Sequence, residues 1–222
     1  NVGGTLNVLN AAVKNNINRV VLAFSSSTYG DSPTLPKVEH TIGKPLSPYA
    51  VTKYACEVYA DVFQKVYGLD YIGLRYFNVF GPKQNPNNPY AAVIPLFCKA
   101  MLAGRRPVIN GDGLTSRDFT YVSNAIDANL KALFSDNKDA LNEVYNVACG
   151  DQTTLNDLIQ IINEKLGTTI DAEYREERPG DVKHSLADIN KIMNLLEYEV
   201  QASINDGLGQ VLTWYRETVD NQ

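Results

Sequence analysis

RVVLAFSSSTYG, residues 19–30, decides how this chain is read. Val20 to Phe24 form an unbroken apolar run, the pattern of a parallel strand buried on both faces. The run stops at three hydroxyls, Ser25, Ser26 and Ser27, and Gly30 closes the segment. Such a strand needs a helix on either side in sequence, and the flanks supply both. Upstream, NVGGTLNVLNAAVKNN (1–16) places Val2, Leu6, Leu9, Ala12 and Val13 roughly on one helical face. Downstream, the proline-bearing stretch 31–46 has no period and reads as a loop. Ser47 then suits an N-cap, Pro48 the first helical position and Gly68 a C-terminal stop, which predicts a helix over 48–67.

The alternation continues. DYIGLRYFNVFGP (70–82) is β-rich, and AVIPLFCKAMLAG (92–104) reads as a helix with Pro95 in its first turn. RPVINGDGLTSRDFTYV (106–122) predicts two short strands around a Gly-Asp-Gly turn. A helix over 123–134, a strand in EVYNVAC (143–149), a helix over 154–166 and a strand in TIDAEYRE (169–176) follow. RPGDVKHSLAD (178–188) is a polar loop, and short helices fill the remainder. Strands alternating with helices imply an α/β fold with a mainly parallel sheet. The pattern grows less regular after about residue 88. The expected division is therefore 1–88 as part of a Rossmann-like core and 89–222 as a smaller α/β lobe with possible returns to the core sheet.

Composition excludes several classes. The 222 residues carry a net charge of −5, with 44% hydrophobic and 20% charged residues, as in a soluble globular chain. No basic run marks a nucleic-acid surface. The apolar runs VVLAF (20–24) and AAVIPLFC (91–98) are too short to cross a bilayer, and no charged-then-apolar signal segment opens the sequence. Cys56, Cys98 and Cys149 are odd in number and far apart, so buried free thiols and a cytoplasmic location are expected. His40 and His184 show no metal-ligand spacing with them, and no metal is expected.

SPYAVTKYACE (47–57) sets Tyr49 and Lys53 at i and i+4, on one helix face. A lysine one turn away lowers a phenol's pKa, so the pair can act as a general base in a dry site. The same spacing also occurs on ordinary amphipathic helices. The serines give it context. Carboxyl ends of parallel strands face the ligand crevice, where hydroxyls can bond a reacting alcohol or carbonyl.

Taken in order, the serine-rich strand end, Tyr-x-x-x-Lys, LRYFNVFGP, GDG…SRDFTYV and RPGDVKHSLAD resemble the extended short-chain dehydrogenase/reductase family of NAD-dependent epimerases and dehydratases. SSSTYGDSPTLPKVEHTIGKPLSPYAVTKY and GDVKHSLADI look like its bacterial UDP-N-acetylglucosamine 4-epimerase branch. The resemblance implies a catalytic set of Ser25, Tyr49 and Lys53, with Tyr49, Lys53 and Tyr76 against NAD. It implies a substrate set of Ser26, Ser27, Asn78, Ala92, Val93, Asn110, Arg117, Arg178, Asp181 and Ser185 around a UDP-sugar. Tyr49 would take the 4-hydroxyl proton while C4 is oxidised, and return of hydride to the other face of the 4-keto sugar would invert C4. Related dehydratases carry Asp-Glu after the catalytic Ser/Thr; Ser26 and Ser27 stand there and argue for epimerisation. Ser185, where a bulky residue would exclude an N-acetyl group, implies UDP-GlcNAc/UDP-GalNAc.

The resemblance also exposes a gap. The family's G-x-x-G-x-x-G pyrophosphate loop has no counterpart: Gly111-Asp112-Gly113 is a turn between strands, and Gly207 and Gly209 lie in a helical stretch. The acidic residue that reads the adenosine ribose is lacking as well. The chain thus corresponds to the C-terminal two-thirds of such an enzyme, a partial doubly wound sheet with an open edge and exposed apolar faces. It is expected to bind NAD poorly. A non-enzymatic remnant that binds UDP-sugars or a protein partner, or a different sugar-nucleotide epimerase or dehydratase, are the alternatives. The intact enzyme would be a homodimer through a helix bundle. Val58, Val62 and Val66 fit that seam or packing on the sheet equally well.

Overall fold

A computed structural model describes residues 1–85, 92–177 and 183–219. Helix α1 (Val2–Lys14) leads into strand β1 (Arg19–Ser25), a short 3-10 turn (Ser26–Tyr29), helix α2 (Pro48–Tyr67) and strand β2 (Asp70–Tyr76). The chain continues through β3 (Val79–Phe80), α3 (Val93–Leu102), β4 (Val108–Asn110), β5 (Ser116–Arg117), β6 (Thr120–Tyr121), α4 (Val122–Phe134) and β7 (Glu143–Val147). It ends with β8 (Thr153–Thr154), α5 (Leu155–Leu166), β9 (Glu173–Arg175), α6 (Asn190–Leu196) and α7 (Ile204–Val219).

Helix limits follow the local chemistry. The Ser47 hydroxyl accepts the Ala50 N–H at 3.1 Å, Pro48 opens the helix, and Gly68 ends it in the left-handed conformation (φ 68°). At α5, Thr154 and Asp157 form a capping box and Gly167 supplies the left-handed stop. Ser203 and Asp206 exchange the same reciprocal bonds at the start of α7, which makes the last helix 16 residues long rather than short.

The main sheet is β1–β2–β7, all parallel, with Ser25 beside Tyr76 and Tyr76 beside Val147 at its carboxyl end. Side chains alternate along β2. Tyr71, with Phe24, packs under Cys56 and Ala60 of α2, while Ile72 and Leu74 meet Ala125, Ala128 and Ala132 of α4 and Ile192 of α6. Both faces are therefore covered by helices, and β7 returns to this sheet from the second half of the chain. A second core joins α3, α5 and α7 over Phe80, Ile109, Phe119 and Tyr121.

Three expectations are corrected. The apolar run Val20–Phe24 is not buried on both faces: only Phe24 is buried, because β1 lies at the edge of the sheet with no strand beyond it among the described residues. The strands around Gly111-Asp112-Gly113 do not pair with each other. β4 runs parallel to β9, and β5 is antiparallel to β8 with a bridge to His184. Cys149 is half-buried, unlike Cys56 and Cys98, although all three thiols are free. The outer face of α4 is apolar as well as exposed, at Ile126, Leu130, Leu133 and Phe134. Among the described residues no helix is long and apolar enough to cross a membrane.

A buried ion pair ties α2 to the sheet. Arg75 of β2 donates from Nε and Nη2 to the two carboxylate oxygens of Glu57 at 2.9 and 2.7 Å. Its Nη1 donates to the Glu39 carbonyl at 2.8 Å, and its guanidinium lies 4.9 Å over the Tyr29 ring. Desolvation lowers the arginine's pKa, and the Glu57 hydrogen bonds and charge more than reverse it, so the group stays ionised.

Candidate active site

The carboxyl ends of β1 and β2, the 3-10 turn after β1, the first turn of α2 and the segment around Ser185 enclose a cleft of about 330 Å³. Ser26, Ser27, Asn78, Arg117 and Ser185 line it, with Tyr29, Lys37 and Phe77. Five residues expected around the UDP-sugar thus come from four separate segments to one place. The Ser27 hydroxyl is buried there without a hydrogen-bond partner. Asn78 is held at positive φ (38°) by donation from Nδ2 to the Asp118 carbonyl at 3.0 Å. The Ser185 N–H donates to the Ser116 carbonyl at 3.1 Å, so the two walls of the cleft are hydrogen-bonded to each other.

A second cleft of about 590 Å³ adjoins the first. Val93, Asn110 and Arg117 line it, together with Lys99, Arg105, Arg106 and Arg175. Arg117 faces both clefts and braces the wall between them, donating from Nη1 to the carbonyls of Ser116 (2.9 Å) and Lys183 (3.2 Å). Ala92 is the exposed N-cap residue of α3, next to Val93. Another groove, about 510 Å³ between α5 and the segment leading into β9, collects none of the expected residues.

The expected catalytic residues, Ser25, Tyr49 and Lys53, are not among the residues that line either cleft, although Ser25 adjoins Ser26 and Tyr49 adjoins Ala50 in the chain. The Ser25 hydroxyl accepts the Ser27 N–H at 3.2 Å and caps the 3-10 turn. Tyr49 is 51% exposed, with its side chain open to a ligand from outside the helix. Lys53 donates from Nζ to the Ala23 carbonyl near the end of β1, at 2.8 Å. Tyr76, register neighbour of Ser25, exchanges hydrogen bonds with Asn129 of α4 at 2.8–3.0 Å. Arg178 and Asp181 lie outside the described residues.

Several residues were missed by sequence reading. Arg105 and Arg106 follow Gly104 as a visible basic pair, but nothing local says that they face Asn110 and Arg175. Asp118 is fully buried, and its carboxylate accepts the N–H groups of Cys149, Gly150 and Ala187 at 2.9–3.2 Å. It pins the loop after β7 and the segment next to Ser185. Burial pushes this carboxyl up to about 6, against the lowering pull of the three N–H donors. A raised carboxyl pKa means that the folded chain holds the proton more tightly than the unfolded one. The stability this group contributes is therefore full below about pH 4 and lost as pH rises through about 6. A carbon-13 titration of the Asp118 carboxyl is expected to give a midpoint near 6; a midpoint below 4 would mean that the N–H donors outweigh burial.

The fold and the site define a doubly wound α/β protein with its clefts at the carboxyl ends of parallel strands, the crevice where such sheets bind nucleotides. The chain belongs to the NAD-dependent epimerase/dehydratase family, whose model matches residues 1–148. It is similar to the UDP-N-acetylglucosamine 4-epimerase from Methanobrevibacter ruminantium, solved in complex with UDP-N-acetylmuramic acid. The two are 44% identical, with a TM-score of 0.92 over 98% of this chain and 69% of that one. The UDP-glucose 4-epimerase of Thermotoga maritima, solved with UDP-glucose, is 34% identical with a TM-score of 0.91, over 97% of this chain and 69% of that one. The UDP-glucuronate 4-epimerase of Thermodesulfobacterium geofontis is 33% identical over 99% of this chain and 66% of its own length. The chain thus spans about two thirds of these relatives.

Proposed function

We propose that this chain provides the substrate clefts and the catalytic tyrosine of an NAD-dependent UDP-hexose 4-epimerase acting on UDP-GlcNAc and UDP-GalNAc. The observation that carries this reading is Arg117, standing in the wall shared by a hydroxyl-lined cleft and a cationic one. A guanidinium there suits a diphosphate, with the hexose among Ser26, Ser27, Asn78 and Ser185 and the nucleoside toward Val93 and Asn110. Ala92, Arg178 and Asp181 complete the proposed substrate set, and residues 1–88 and 89–222 the proposed division into core and lobe.

The residues present fit the nicotinamide end of NAD. Tyr76 lies beside Ser25 in register, but its side chain is on the α4 face, bonded to Asn129; on the α2 face Tyr49 is accessible and Lys53 reaches the end of β1. Tyr49 and Lys53 would hold the nicotinamide ribose; no glycine loop for the pyrophosphate lies within the sequence. NAD, when bound, supplies the acceptor and donor of hydride. Tyr49 takes the proton of the sugar 4-hydroxyl and later returns it, with Ser25 bonding the same oxygen and Lys53 orienting the phenol. Arg117 keeps the diphosphate fixed while the 4-keto sugar turns over, so that the opposite face of C4 is presented and the centre inverts.

Calorimetric titration of the chain tests the two halves of this reading separately. UDP-GlcNAc is expected to bind, and more tightly than UDP-glucose; a clear preference for UDP-glucose would refute the role of Ser185. NAD is expected to bind more weakly than micromolar, and micromolar binding would show that the pyrophosphate has a site of another kind.

A homodimer in the cytoplasm completes the proposal. Val51, Val58, Val62 and Val66 form an exposed stripe along α2, with Val8 exposed on the neighbouring α1, so these valines do not pack on the sheet. Val62→Glu is expected to convert a dimer to a monomer in sedimentation equilibrium; an unchanged dimer would place the seam elsewhere.

A further inference from the structure

Ser185 lines the first cleft from residues 183–188, a segment between β9 and α6 that is held from two sides. On one side the Ser116 N–H donates to the Lys183 carbonyl at 2.9 Å, and the Ser185 N–H to the Ser116 carbonyl at 3.1 Å. On the other, the Lys37 N–H donates to the Leu186 carbonyl at 2.7 Å, and the Asp188 N–H to the Lys37 carbonyl at 2.9 Å. Between these bonds the Ala187 N–H donates to Asp118 Oδ2 at 3.2 Å.

The same residue reaches two more segments. Its Oδ1 accepts the Cys149 N–H at 2.9 Å and its Oδ2 the Gly150 N–H at 3.0 Å, while its carbonyl accepts from Asn78 Nδ2 at 3.0 Å. Asn78 and Ser185, which line the cleft, are thus both tied to a residue that lines neither cleft and is fully buried. Asp118 can act on a ligand only through them. An ionised carboxylate is acceptor-only, which matches three converging donors. Its burial opposes ionisation, so at neutral pH the charge costs the fold stability rather than adding to it. A buried group that the fold does not gain from is explained by what it positions.

Resting on the UDP-sugar reading above, we infer that Asp118 is a positioning residue for the hexose: its carboxylate fixes the segment carrying Ser185, and its carbonyl fixes Asn78. The nucleoside end is outside its reach. Among the described residues none of its hydrogen bonds goes to Val93 of α3 or Asn110 of β4. Asp118→Asn keeps the carbonyl and the side-chain shape. Cys149 and Gly150 donate to different oxygens, so an amide turns its NH2 toward one of these N–H groups in either orientation. Gly150 packs against Ile189, so a shift of this loop passes to the segment carrying Ser185.

The test is calorimetric titration of wild type and Asp118→Asn with UDP and with UDP-GlcNAc, at about pH 8, where the carboxyl is ionised. The affinity for UDP-GlcNAc relative to UDP is expected to fall about 10-fold in the variant, the effect of one misplaced hydrogen bond, with UDP affinity nearly unchanged. A variant that shows fewer competent sites but the wild-type Kd for both ligands has lost stability alone, and overturns the inference. A second measurement needs no variant. In wild type, UDP-GlcNAc is expected to slow hydrogen exchange at the Ala187, Cys149 and Gly150 amides more than UDP does. Equal protection by the two ligands would overturn the inference even if Asp118→Asn fails to fold. Either overturning result leaves the UDP-sugar reading standing. If wild type binds neither ligand, both fall.

Discussion

Glu57→Ala is expected to destabilise the chain by about 3–5 kcal/mol, the cost of stranding one partner of a buried ion pair. The side chains of Arg75 and Glu57 are 4% and 7% exposed, so water cannot replace the lost carboxylate. The Glu39 carbonyl and the Tyr29 ring would remain against the guanidinium, but neither carries a full negative charge. For a chain of this size the loss corresponds to a fall in Tm of roughly 6–20 °C. Guanidinium denaturation checks it, and a loss under about 1 kcal/mol would show that the pair is dispensable. The pair has a functional side. Glu57 lies one helical turn beyond Lys53 and two beyond Tyr49, so it fixes the helix face on which the proposed catalytic residues stand. Replacing both partners with apolar residues of similar volume is expected to recover much of the stability, because the penalty comes from the unpaired charge.

Arg117→Ala is expected to weaken UDP-sugar binding about 30-fold or more, the effect of removing one partner of a charged, hydrogen-bonded contact. Two consequences add. The diphosphate would lose its guanidinium, and the wall between the clefts would lose the bonds to the Ser116 and Lys183 carbonyls. Arg117→Lys is expected to recover only part of the affinity, because an ammonium cannot present a planar fork to phosphate oxygens. Calorimetry with UDP-GlcNAc reads both variants. Wild-type affinity in Arg117→Ala would remove the observation on which the proposed function rests.

What could be read from sequence follows the range of the interactions involved. Ser47, Pro48 and Gly68 delimit α2, and Thr154 and Gly167 delimit α5, because caps are contacts between residues within one turn. The alternation of apolar runs with amphipathic stretches predicted a parallel α/β sheet for the same reason: each period is local. Errors came where pairing is distant. Gly111-Asp112-Gly113 looks like a hairpin turn, yet Val108 pairs with Glu173 and Ser116 with Thr154. An apolar run such as Val20–Phe24 reports what a strand could bury, not whether a neighbour is there to bury it.

The site divides the same way. Ser26, Ser27, Asn78, Arg117 and Ser185 are expected together from motif order, and they line one cleft. Lys37, Asp118 and the arginines of the second cleft carry no local signal. A lysine in a proline-bearing loop looks solvated, and an aspartate in Ser-Arg-Asp-Phe looks like a partner for its own arginine. Taken alone, the sequence determined the fold class, the helix limits and the residue types available for chemistry, because these depend on neighbours a few positions apart. Only the tertiary structure decided that Arg117 stands between two clefts, that Asp118 gathers three backbone N–H groups and that Lys37 is buried in the wall of the first cleft. Those placements depend on segments tens of residues apart, whose pairing no local pattern encodes.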